Sequence, residues 1–150
     1  MTISSRRRLT NGDAGRYIKP SYVKESYVSP NAFDLRLNRN VPEHYVSFFL
    51  SRGPSDEEKF WDVFEKSKTG LTPKKDGFIC LISIEEALNA INIGNELVWF
   101  TDERIPHLGL WYSTDASNQE ILEAKSLLSW FANQRLQLIT NIAKSLPMNK

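Results

Sequence analysis

The sequence predicts an α+β single domain: a mixed or antiparallel sheet of about four or five strands, helices packed on at least one face, and a long C-terminal helix. Three observations predict it. Short β-prone apolar runs alternate with stretches of helical period. Each of three such stretches opens with a serine and a glutamate three residues apart, the spacing of a capping box. A composition of 41% hydrophobic and 25% charged residues over 150 positions suits one globular domain with its own core.

Residues 1–15 read as a basic, flexible N-terminal arm, polar and ending in the turn signal "NGDAG", so the domain proper is expected over 16–150. Residues 16–40 carry short apolar pieces between Pro20 and Pro30. They read as extended segments and turns, with Tyr22-Val23 and Phe33–Leu37 as strand-like anchors. "HYVSFFL" (44–50) is β-prone and apolar on both faces, which predicts a central strand.

A helix follows from Ser55, with Glu58 three residues on, Asp56 and Glu57 suiting the first turn and Lys66 and Lys68 the last. Its buried stripe is Phe60, Val63 and Phe64, and Gly70 supplies the stop. "GFICLIS" (77–83) is a second central strand, and Ser83 with Glu86 opens a short helix running to Gly94, with Ala87, Leu88 and Ile91 inward. "ELVWFT" (96–101) and "LGLWYS" (108–113) predict an antiparallel hairpin with a six-residue loop. Ser117 and Glu120 open the last and longest helical pattern, Ile121, Leu122, Leu127, Leu128, Phe131, Leu138, Ile139 and Ile142. It ends near Leu146-Pro147, and "ANQRLQ" is the place where it could break in two.

Charge is unevenly spread. Residues 1–24 hold six cations against Asp13, a net of +5, so the remainder carries −4 within an overall +1. A basic arm on an acidic body suits phosphate backbones, but it equally suits folding onto that body. The single Cys80 sits in an apolar run, which predicts a buried, inert thiol and excludes an internal disulfide framework. With only His44 and His107 beside it, no metal site is expected. No stretch approaches the roughly 18–20 apolar residues of a membrane helix, and no secretory signal opens the chain. The expected location is therefore the cytoplasm.

The chain has no glycine-rich phosphate loop, nucleophile elbow, HExxH, CxxC or calcium loop, and no cofactor is expected. One stretch does gather acid, base and cation: the hairpin loop with Asp102, Glu103, Arg104 and His107. His44 and Glu43, at the start of another central strand, could join it. A histidine near a carboxylate can act as general base at neutral pH, and an arginine beside it can hold an anion. Transferases acting on nicotinamide dinucleotide often place an arginine or histidine, then a serine or tyrosine, then a glutamate or histidine on successive core strands. By that analogy Arg16, His44, Ser47 and His107 form a candidate catalytic set. Arg6, Arg7 and Arg8 are the candidate nucleic-acid or anion contacts.

The segments "RYIKPSYV", "SPNAFDLR", "EHYVSFF" and "IPHLGLWYS" resemble a pattern in a diffuse set of small uncharacterised bacterial proteins. The matching positions are Ala32, Phe33, Arg36, Val46, Ser47, Pro106 and His107, between about residues 16 and 113. The resemblance implies a bacterial or phage origin and carries no established activity. Together these readings lead to the expectation of an intracellular bacterial accessory module that acts by binding a macromolecular partner, a protein first of all. A homodimer through the C-terminal helix, whose apolar residues fall on more than one face, belongs to that expectation. Whether the chain is an enzyme stays open. The alternative is a small nucleotide- or NAD-directed transferase or hydrolase using His107 with Arg16, His44 and Ser47; the second alternative is nucleic-acid binding through the N-terminal arginines.

Overall fold

The protein was studied as a computed structural model, which describes residues 6–37 and 43–145. Its centre is one antiparallel sheet of seven strands, larger than the four or five expected. In chain order these are β1 (Arg8–Leu9), β2 (Asp13–Ile18), β5 (Val46–Ser51), β6 (Phe78–Ser83), β7 (Val98–Asp102), β8 (His107–Tyr112) and β9 (Leu136–Leu138). Across the sheet they run β1-β7-β8-β5-β2-β6-β9. A separate ribbon pairs β3 (Val23–Lys24) with β4 (Tyr27–Val28), between short 3-10 turns at Pro20–Tyr22 and Pro30–Phe33. The helices are α1 (Asp56–Ser67), α2 (Ile84–Ile91), α3 (Asn118–Gln134) and α4 (Ile139–Ser145). None is long and apolar enough to cross a membrane among the described residues.

Strand alternation sends side chains to both faces of the sheet, and helices cover both. On β6, Ile79 and Leu81 meet Phe60 and Val63 of α1 and Ile139 and Ile142 of α4. Cys80 and Ile82 point the other way, into a cluster with Ile84 and Ala87 of α2, Leu128 and Ala132 of α3, and Phe33, Phe48 and Phe100. The two strands expected to be central are central, β5 between β8 and β2 and β6 between β2 and β9. All three serine caps form: Ser55, Ser83 and Ser117 accept from the backbone N–H three residues on, and Glu120 completes a reciprocal box with Ser117.

Three expectations need correction. The strand β2 was hidden in "DAGRYI", where aspartate, glycine and arginine break the apolar pattern. Gly15 is required there because Val63 of α1 packs onto the backbone, 2.3 Å from where a Cβ would sit. The long C-terminal helix is two helices. Leu136 and Leu138 take strand geometry and complete the edge of β6, pairing Phe78 with Leu138 and Cys80 with Leu136, so the break falls at "ANQRLQ". On α3 the buried residues are Ala124, Leu128, Ser129 and Ala132, whereas Leu122, Leu127 and Trp130 are exposed. No strand forms over Phe33–Leu37; Phe33 ends a 3-10 turn and its ring stacks on Phe48 at 6.2 Å.

Of the arm expected over residues 1–15, residues 1–5 lie outside the described part. Residues 6–15 carry β1 and the start of β2, held by buried Leu9 and Ala14. The final residues 146–150, and with them the predicted stop at Leu146-Pro147, also fall outside it.

Candidate functional site

Near its middle the sheet opens. β2 and β5 pair at Asp13 with Ser51, Ala14 with Leu50 and Gly15 with Phe49, and there the ladder ends although both strands continue. Beyond that point β2 stays with β6, pairing Arg16 with Cys80 and Ile18 with Phe78. β5 stays with β8, pairing Ser47 with Gly109 and Phe49 with His107. The backbone carbonyls facing the gap need donors, and the Arg16 side chain supplies them. Its Nη1 donates to the Ser47 carbonyl at 2.7 Å and its Nε to the Ala32 carbonyl at 3.2 Å, with the guanidinium over the Phe48 ring at 5.8 Å.

A cleft of about 290 Å³ lies along this opening, its walls including Arg16, Arg36, Ser47, Phe49, Thr69 and His107. A second hollow of about 490 Å³ shares Tyr17, Lys19 and Leu71 with it and continues past Thr72 and Lys74. The charged lining of the first is Arg16, Lys19 and Arg36 against Glu43, an excess of positive charge. Burial pushes the Arg16 guanidinium below its ordinary value, and neighbouring Arg36 pushes the same way while Cys80, Glu43 and Tyr112 oppose; an arginine nevertheless stays charged. The last turn of α1 also borders the cleft, and its carbonyl end would repel an anion. That effect is blunted, because the Ser67 and Thr69 hydroxyls donate to the Phe64 and Lys66 carbonyls, each at 2.8 Å.

Three of the four residues in the candidate catalytic set, Arg16, Ser47 and His107, meet at this cleft; exposed His44 does not line it. His107 is exposed, with its ring 5.3 Å from that of Phe49. Among the described residues no carboxylate hydrogen-bonds the His107 ring. The loop acids are turned elsewhere. Asp102 Oδ1 accepts from the Arg104 and Ile105 backbone N–H groups, both at 2.9 Å, which holds Arg104 at a φ of +79°. Those bonds and the Arg7 guanidinium hold the Asp102 carboxyl below its usual range, outweighing the upward pull of desolvation. Glu103 accepts from Arg6 and from the Thr101 hydroxyl, which in turn accepts from Trp111 Nε1.

The N-terminal arginines thus fold onto the body. Arg6 pairs with Glu103 at 3.0 Å, Arg7 with Asp102 at 3.2 Å and Arg8 with Glu96 at 2.6 Å. Arg6 lies 5.4 Å over the Trp111 ring and Arg8 4.7 Å over Trp99. Cys80 is fully buried and its thiol is pushed up to about 12 by desolvation, so Arg16 beside it does not make it a thiolate.

Sequence reasoning missed Lys19 and the α1 end as parts of this cleft, whereas Glu43, expected beside His44, does line it. It placed Arg36 in the resemblance rather than in the site, yet Ala32, Arg36, Ser47 and His107 from that pattern all line the cleft. Compared with protein-family models, curated proteins and solved structures, the chain matches none.

Proposed function

We propose that the protein is a binding module whose recognition site is the cleft where β2 and β5 part, and that it acts by engaging a ligand or the exposed group of a macromolecular partner there. The observation that carries the reading is the opening itself. Two central strands stop pairing after Gly15 and Phe49, and an arginine side chain supports the carbonyls on its wall. A core that gives up strand pairing loses stability unless the gap is used or refilled. Here it is only partly refilled, and the cavity beside it is large enough for a small group.

The test is a thermal-shift screen of small charged and neutral metabolites on the full chain, repeated on Ser47→Trp. Ser47 is exposed on the cleft wall, so the indole plugs the site without entering the core. Stabilising compounds should be lost in Ser47→Trp and kept in Trp130→Ser, which alters an exposed residue of α3. Compounds that stabilise all three proteins equally defeat the proposal.

The enzyme reading has its own support in the convergence of Arg16, Ser47 and His107. Any compound that binds should be followed for conversion. Turnover that falls about 10²–10⁴-fold in His107→Ala identifies a general base and favours catalysis; binding without turnover favours the module.

A further inference from the structure

We infer that the group this cleft takes is an oxyanion, a phosphate or a carboxylate, forming the head of an elongated ligand whose body runs into the neighbouring hollow. This rests on the cleft being the recognition site. Arg6, Arg7, Arg8 and Arg135 each have a carboxylate within 3.2 Å. Among the described residues Arg16 has none, and its hydrogen bonds run to neutral carbonyls. Arg16 is half-buried and Glu43 acts on it only through space, and a cation partly withdrawn from water gains from a counter-charge bonded to it directly. An incoming oxyanion supplies that counter-charge.

Arg16 has five N–H donors, of which these carbonyls engage two, and a guanidinium edge suits planar or tetrahedral oxyanions. Arg36 and Lys19 add charge from two other walls. Glu43 opposes them, and one of its oxygens already accepts the Arg36 backbone N–H at 2.8 Å. The shape argues for length. Tyr17, Lys19 and Leu71 line both hollows, which therefore adjoin, with Lys74 and Asp76 on the far side. A bare anion would fill only the first.

The probes are inorganic phosphate, acetate, a nucleoside monophosphate and a phosphoserine peptide, titrated into the isotope-labelled full chain and followed by NMR. Phosphate or acetate should shift the Ser47 and His107 amides and the Arg16 Nε signal in a saturable manner. An elongated probe with the same head should bind about ten-fold or more tightly than the bare ion and also move Leu71 and Lys74. Arg16→Met should weaken binding at least about ten-fold, Arg16→Lys less, and Arg7→Ala not at all. Should Arg16→Met fail to fold, the double variant Lys19→Met/Arg36→Met carries the same expectation.

A preference between phosphate and carboxylate probes, or between nucleotide and peptide, identifies the source of the head group. Absence of any saturable shift, or equal binding by Arg16→Met, overturns the inference. If anions fail while neutral compounds still depend on an open cleft in Ser47→Trp, the anion inference falls and the binding-module reading stands. If Ser47→Trp keeps every compound, that reading falls as well.

Discussion

Arg16 lies on strand β2 and Arg135 packs against its start, yet they live in opposite surroundings. Arg135, which caps α3, forks between two carboxylates, reaching Asp13 at 2.8 Å and Asp56 at 2.7 Å, while Lys59 meets Asp13 from α1 at 2.7 Å. It ties the start of β2, the first turn of α1 and the end of α3 into one charge-balanced knot. Arg16, three residues along from Asp13, supports two carbonyls at the edge of a cleft and meets no carboxylate among the described residues. The first arrangement is complete without anything added. Among the described residues the second leaves three of the five guanidinium N–H groups without a carbonyl partner, and that difference is what the proposed anion site rests on.

The largest expected effect tests the knot. Arg135→Met should cost about 2 kcal/mol in urea unfolding at neutral pH, because it leaves Asp13 partly buried with only Lys59. Burial alone would raise the Asp13 carboxyl, but hydrogen bonds from Arg135 and Lys59 outweigh it and hold it below 3.8. A carboxyl depressed in the folded state stabilises the protein fully above its unfolded pKa, and that stabilisation drains as pH falls through the folded one. The gap between wild type and variant should therefore be full above about pH 5 and narrow below 3.8.

Next comes the N-terminal clasp. Replacing Arg6, Arg7 and Arg8 together by alanine should cost about 1 kcal/mol at low ionic strength, the pairs being mostly solvent-facing. In about 0.5 M salt less than half of that difference should remain, since screening removes it from the wild type. A salt-independent loss would assign the clasp to packing of the aliphatic stems on Trp99 and Trp111 instead.

Arg16→Met should shift stability by no more than about 1 kcal/mol in either direction, the lost carbonyl bonds offset by relief of a half-buried charge to which no carboxylate is bonded among the described residues. A cost equal to that of Arg135→Met would erase the contrast. The smallest effect belongs to Cys80. With its thiol near 12, labelling by iodoacetamide at pH 8 should be negligible in the native protein and prompt in urea, with no change in Arg16→Met.

Much of the fold was legible because local rules and packing agreed. Three serine caps and two apolar central strands are where spacing put them, and the hairpin of Trp99 and Trp111 forms with a loop of residues 103–106, four rather than the six expected, so that Asp102 and His107 end its strands. β2 was illegible because it carries the site: Gly15 yields to Val63, Arg16 enters the cleft, and neither looks like a strand residue. Exposed Leu122 and Leu127 misled in the same way, since apolar spacing does not say which stripe of α3 meets the sheet. The site was half legible. Arg16, Ser47 and His107 converge, but the loop acids beside His107 in sequence serve Arg6, Arg7 and the turn. Lys19 and Arg36 reach the cleft through tertiary packing that no local spacing announces.

The bond between Asp13 and Arg135 spans 122 residues of sequence. Around it, β2 must find β5 and then β6, and β6 gains its outer neighbour only from residues 136–138. Of the pairings that build the sheet's centre, none is a tight hairpin, so loop closure dominates the folding barrier and the protein should fold slowly for its size. During synthesis the edge of β6 waits bare until residues 136–138 have been made. Until then the nascent protein offers an apolar strand to any neighbour, and Arg135, which precedes the covering strand directly, ties that strand's start back to Asp13 as it docks.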